Sequence, residues 1–162
     1  MKIVLYCNRN VGLIALSHLV SLGHEVSVIC DKGEENISWL AERLGCEILS
    51  FDGGWGEFDL FLCVHGRKLI PKERLIDGKF VNVHPLLEQE LKGKDPVARF
   101  LKSKLVAASV SSHYMTAIPD EGEIIETVYF KTDGVKDHAG FYNEALKWYF
   151  VLIDKTITKI LN

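Results

Sequence analysis

The sequence predicts an α/β protein built on a Rossmann-like open, mostly parallel sheet with flanking helices. Three observations lead there. The runs "KIVLYC" (2–7), "EVSVIC" (25–30) and "DLFLCV" (59–64) are short and mostly apolar, the first continuously so after Lys2, as in strands covered on both faces. Between the first two lies "VGLIALSHLVSLG", whose apolar positions 13, 16, 20 and 14, 22 recur at helical spacing before Gly23 supplies a stop. Strand and helix signals then alternate up to residue 84, the order expected of parallel strands joined by right-handed crossovers.

The remaining elements follow in chain order. "SWLAERLG" predicts a second helix within about 35–45, "CEILS" (46–50) a further strand, and "KFVNVH" (79–84) another after a charged, partly helical segment. "LVAASVSSHYMT" (105–116) and "EIIETVYFK" (123–131) are β-like runs joined by the short turn "AIPDEG", so they add two more strands as a hairpin-like pair. A helix over about 137–161 closes the chain. Its "WYFVLI" (148–153) is apolar on every side, which fits burial beneath the domain or a seam in a homodimer.

Length and composition bound the function. With 162 residues, the chain fits a single domain, 1–162, with a sizeable core. A hydrophobic share of 48% and a net charge of -3 exclude disorder and collagen-like order. Residues 31–60 carry eight acids against Lys32 and Arg43, whereas residues 67–104 carry ten Lys or Arg against five acids. That asymmetry fits a solvated surface or the steering of an anionic small ligand. The acidic balance of the whole points away from nucleic acid. Cys7, Cys30, Cys46 and Cys63 form no CxxC pair and read as core thiols of a reducing compartment. The amino terminus runs straight into a strand, and no apolar run is long enough to span a bilayer, so a cytoplasmic protein without membrane contact is expected.

In open α/β sheets ligands collect beyond the carboxyl ends of the strands. Asn8, Arg9, Asn10, Asp31, His65, Arg67 and His84 should gather there. The first β-α turn, "CNRNVG", lacks the glycines of GxGxxG, so dinucleotide binding of the usual kind is excluded, and no GxxxxGK[ST] is present. The six histidines are scattered, with no HxH or HExxH, and no metal site is expected. No GxSxG supports a serine nucleophile. What remains is acid–base and electrostatic chemistry at "NVHP" (82–85). Strand alternation puts Asn82 and His84 on one face, where an amide and an imidazole can both donate to a developing oxyanion. A polar strand end capped by side-chain hydrogen bonds fits the same two residues.

"NVHP" together with "KGKDP" and "SSHYMTAIPDEGEII" resembles the folate-dependent formyltransferase family, which includes glycinamide ribonucleotide, methionyl-tRNA and nucleotide-sugar enzymes. The matching positions are Asn82, His84, Pro85, Lys92, Gly93, Pro96, His113, Asp120, Gly122, Ile124 and Ile125. The resemblance implies a formyltransferase fold and an enzyme, with Asn82, His84 and Asp120 as catalytic residues. It also implies 10-formyltetrahydrofolate as formyl donor, near Val64, His65, Gly66, Arg67, Leu69, Ile70, Pro119 and Gly122. The chain departs from the family in "LLEQEL" (86–91), in the absence of a Gly/Ser-rich phosphate loop after the first strand, and in ending at Asn162 without a second basic domain. An amino sugar nucleotide is therefore the expected acceptor, with Arg9, Asn10 and Lys92 as substrate contacts. Water as acceptor, which would make a formyltetrahydrofolate hydrolase, and a non-catalytic relative are the alternatives.

Overall fold

Continuous apolar runs become the central strands of a six-stranded sheet in the computed structural model, which describes residues 1–76, 78–86, 95–103 and 105–161. β1 (Lys2–Cys7), β2 (Glu25–Ile29), β3 (Leu60–Val64), β4 (Phe80–Pro85), β5 (Ala107–Tyr114) and β6 (Ile124–Lys131) lie in the order β2-β1-β3-β4-β5-β6. β1 is parallel to both neighbours, with Leu5 opposite Val28 on one side and Leu62 on the other. The chain leaves β1 toward β2 and then returns past it to β3. The crevice at the carboxyl ends of β1 and β3 is thus the topological switch point, where sheets of this kind take their ligands.

The chain divides into two units, Met1–Asn82 with Tyr114–Gly122, and Val83–His113 with Glu123–Asn162. In the first, α1 (Arg9–Ser21) lays Val11, Ala15, Leu16 and Leu19 into the core, and α2 (Glu35–Arg43) buries Ile37 and Ala41. Gly12 is required by close packing, since a Cβ there would stand 2.8 Å from the Cys7 Cβ. A second apolar cluster joins Val4, Tyr6, Ile29, Phe61, Cys63 and Phe80. Phe61 stacks on Phe80 at 4.8 Å, and Trp55 approaches Phe61 at the same distance.

The expected strand over 46–50 does not form. It shrinks to one parallel bridge, Val28 with Ile48, held by the Val28 N–H on the Glu47 carbonyl (2.7 Å) and the Leu49 N–H on the Val28 carbonyl (2.8 Å). Competing partners claim the chain beyond it. Trp55 Nε1 donates to the Ser50 carbonyl, and the Arg74 guanidinium donates to the carbonyls of Phe51, Asp52 and Gly53 while lying 4.5 Å over the Trp55 ring. Backbone groups satisfied this way are lost to a sheet ladder. The charged segment before β4 holds one short 3-10 turn, Lys72–Arg74.

In the second unit β5 and β6 are antiparallel, Val110 opposite Val128, as the hairpin-like reading expected. A helix that the sequence reading omitted, α3 (Pro96–Lys102), starts at Asp95, whose carboxylate accepts the Ala98 N–H at 3.0 Å, with Pro96 in the first turn. That Asp-Pro pair is a start signal in its own right. α4 (His138–Leu161) buries Phe141, Ala145, Tyr149, Leu152, Ile153, Thr156 and Ile157, a stripe that advances by three or four residues per turn and doubles at 152–153 and 156–157, and Phe130 of β6 stacks on Trp148 at 6.1 Å. The all-round apolarity of residues 148–153 resolves into a stripe: Tyr149, Leu152 and Ile153 are buried, while Val151 is exposed.

Glu126 on β6 ties α4 to the hairpin. Its carboxylate accepts Lys159 Nζ at 2.7 Å and faces Lys155 Nζ at 3.6 Å. The hydrogen bond from Lys159 holds the Glu126 carboxyl below its ordinary value, against the opposing effect of desolvation. A depressed carboxyl pKa stabilises the fold above the unfolded value and is lost as pH falls through the folded one. Both lysines are half exposed, so the contribution is at most about 1 kcal/mol. Glu126→Gln is expected to lower stability at pH 7 by roughly 0.5–1 kcal/mol in urea denaturation, with the difference from the parent closing below about pH 4. A difference that persists unchanged in acid would show that the loss is not one of charge.

Candidate active site

Asn8 follows β1 and is fully buried, so its amide must find partners inside the protein. Nδ2 donates to Asp31 Oδ2 after β2 and to the His65 carbonyl after β3, each at 3.0 Å, and Oδ1 accepts the Asp31 N–H at 3.0 Å. One side chain thereby joins the ends of three strands. Tyr6, in the last turn of the pleat, extends the network: its hydroxyl donates to Asp31 and accepts the backbone N–H groups of Arg67 (3.1 Å) and Lys68 (3.0 Å). Burial is the main cause that pushes the Tyr6 hydroxyl above its ordinary value, so at neutral pH it stays a donor.

Asn8 occupies the position that would cap α1, yet its side chain makes no bond to the helix. The first N–H of α1, on Arg9, is taken instead by Glu34 Oε2 at 2.9 Å, and the other oxygen of Glu34 accepts Arg67 Nη2 at 2.7 Å. Asn8, Asp31, His65 and Arg67 were expected to gather from their places in the sequence, and they do. Tyr6 and Glu34 were missed. A tyrosine in an otherwise apolar strand was the available signal for the first, because a buried hydroxyl needs a partner.

The other nominated residues fall as follows. Arg9 and Asn10 are exposed at the start of α1, and Val64 is fully buried. His65 is half-buried, Leu69 is 75% exposed, and Ile70 is buried against the Phe61 cluster. Gly66 has to be glycine, since a Cβ would stand 2.5 Å from Cys63 Sγ and 2.7 Å from the Tyr6 ring. Within β4, Val81, Val83 and Pro85 are buried while Asn82 and His84 are half-buried, so the polar pair shares one face of the strand. Pro119 is exposed and Asp120 half-buried in the turn after β5, where Thr116 Oγ1 donates to the Ile118 carbonyl at 2.8 Å. A Cβ on Gly122 would overlap the Tyr114 carbonyl, which accounts for the glycine two residues after Asp120. Lys92 and Gly93, with most of the divergent 86–91 stretch, lie outside the described residues.

Arg9, His65 and Asp120 adopt left-handed backbone conformations, with φ of 60°, 61° and 59°. Non-glycine residues held there store strain of roughly 1–3 kcal/mol each, which accumulates at sites of function rather than in inert loops. Cys63 is no nucleophile: burial pushes its thiol up to about 12, a backbone hydrogen bond from Gly66 offsets part of this, and the charges of Asp31 and Asp120 add to it. Among the described residues no group of three or more His, Cys, Asp or Glu is placed to hold a metal ion, and no helix is long and apolar enough to cross a membrane.

Tyr6→Phe removes the shared acceptor of two backbone N–H groups and one donor to Asp31. A loss of about 1–3 kcal/mol is expected in urea denaturation, the cost of part-buried groups left unpaired. An unchanged midpoint would show that water replaces the hydroxyl without penalty.

No protein-family model and no curated protein matches the sequence. Solved structures do. A sugar 3N-formyltransferase crystallised with dTDP and 5-N-formyl-tetrahydrofolate superposes with a TM-score of 0.84 at 19% identity, over 100% of this chain and 63% of that one, so the chain spans less than two thirds of that enzyme. Glycinamide ribonucleotide transformylase 1 from Symbiobacterium toebii matches with a TM-score of 0.82 at 19% identity, over 97% of this chain and 85% of that one. A formyltetrahydrofolate deformylase from Pseudomonas putida matches with a TM-score of 0.74 at 17% identity, over 96% and 63%. At these identities the likeness is one of backbone architecture, and the chain has the formyltransferase fold.

Proposed function

We propose that the chain acts as one catalytic domain that transfers a formyl group from 10-formyltetrahydrofolate to an amine of a small acceptor, best fitted by an amino sugar nucleotide. The observation that carries this reading is the pair Asn82 and His84 on one face of β4, in a fold shared with a sugar 3N-formyltransferase along the whole of this chain. Residues 64–70 and 119–122 are the proposed folate contacts. The fit rests on Gly66, exposed after β3 and packed without a side chain against Cys63 and Tyr6, and on Leu69 and Ile118, whose 75% and 65% exposure offers apolar surface to a planar ring.

The bound folate supplies an activated formyl carbon. The residues of this chain then have distinct tasks. Asn82 donates its amide N–H to the formyl oxygen as that oxygen gains charge during attack by the amine. His84, protonated, donates to the same oxygen and neutralises part of its charge. Asp120, as a carboxylate, favours the cationic form of the imidazole and accepts, through water, the proton that the attacking amine gives up. Asp120 would then return that proton, through the same water, to the departing folate nitrogen as the bond to the formyl carbon breaks, so the proton lost by the amine is the one the leaving group gains.

Likeness to a formyltetrahydrofolate deformylase over 96% of this chain supports a second reading, in which water takes the place of the amine at the same three residues. Spectroscopic release of tetrahydrofolate across a panel of amines separates the two. Amine-dependent release is expected; release that ignores the amine would favour the hydrolase. Asn82→Ala, His84→Ala and Asp120→Ala are each expected to lower turnover at least about a hundredfold with circular dichroism unchanged, and near-normal activity in any of them would remove that residue from the mechanism.

A further inference from the structure

The switch-point crevice is the place where a doubly wound sheet offers its best anion site, because backbone N–H groups and the positive end of α1 converge on it. In this chain three of those N–H groups are already taken. Glu34 sits on the Arg9 N–H and neutralises the Arg67 guanidinium, and the Tyr6 hydroxyl takes the N–H groups of Arg67 and Lys68. Lys68 itself lies 3.9 Å from Asp31 and 4.9 Å over the Phe51 ring. Beside Glu34 opens a depression of about 410 Å³ lined by Asp31, Glu34, Glu35 and Glu42 as well as Trp39, with Lys32 as its one cation among the lining residues. A phosphate entering here would meet a carboxylate where it needs donors.

From this we infer that Glu34 is a specificity-determining residue: its carboxylate, clasped by Arg67, occupies the anion position at the start of α1 and admits only acceptor groups that carry no phosphate there. Arg9 and Asn10 are then not phosphate contacts, and the diphosphate of any nucleotide-linked acceptor lies away from the β1-α1 turn. The consequence for acceptor choice rests on the formyl-transfer reading; the exclusion of phosphate does not.

Titration of inorganic phosphate into the parent and into Glu34→Ala, followed by NMR on the Arg9 and Asn10 amides, tests it without turnover. The parent is expected to show no saturable shift up to the highest phosphate concentration used, and Glu34→Ala to saturate with a dissociation constant at least tenfold below that concentration. Glu34→Gln keeps a hydrogen-bond acceptor and loses only the charge. If the truncated variant does not fold, the same tenfold threshold applied to Glu34→Gln decides. Saturable binding on these amides in the parent, or equal affinity in parent and folded variant, overturns the assignment. Amine-dependent turnover is measured separately, so its absence would remove formyl transfer while leaving the role of Glu34 standing.

Discussion

A buried amide that cannot be left unpaired governs the first unit. Asn8 has no contact with solvent, and its three hydrogen bonds reach the segments after β2 and β3 as well as holding the end of β1 in place. Removing the partner of such a group costs about 1–3 kcal/mol, whereas each bond made adds only about 1 kcal/mol net. The asymmetry makes the arrangement restrictive: once Asn8 is buried, Asp31 and the His65 carbonyl have one place to be. His65, whose carbonyl turns inward to the amide, is also one of the residues with a left-handed φ.

Because the Asn8 side chain is committed to the sheet, α1 is left without its ordinary cap. A helix start exposes orphan N–H groups and partial positive charge. Glu34 meets both, from a loop 25 residues further along. Arg67 completes the arrangement by balancing the carboxylate that has been brought in. The acid at the start of α1 is thus the counterpart of the polar plug at the end of β1, and it meets the Arg9 N–H and the Arg67 guanidinium from within the protein.

How far this was legible depended on the distance over which each constraint acts. Runs buried on both faces, such as "IVLYC" and "LFLCV", declare themselves because no charged position survives in them. The run over 46–50 carries Glu47 and Ser50 among its apolar residues and narrows to one bridge, with the carbonyls from Ser50 to Gly53 bonded to Trp55 and Arg74 instead, a competition invisible to local pattern. The polar alternation of Asn82 and His84 was readable from period two alone, and β4 keeps it. The missing glycines after β1 were readable as an exclusion. What stands in their place was not, since Glu34 and Tyr6 become part of the site only when the sheet order brings separate loops to one crevice.

The residues proposed for chemistry and for selection sit in different kinds of position. Asn82 and His84 are held by a strand whose intervening residues are buried, so the ladder and the core fix their direction together. Any substitution at Val81 or Val83 that changes volume would be felt in packing before it reached the polar pair. Glu34, by contrast, sits on a loop before α2, and its carboxylate is held by one backbone N–H and one exposed arginine. Two hydrogen bonds to a partly solvated acid are weaker constraints than a buried strand. On the proposed reading, change at Glu34 would alter which acceptors are admitted while leaving the chemistry assigned to β4 intact, whereas change within β4 would be felt first in the core that the strand helps to build.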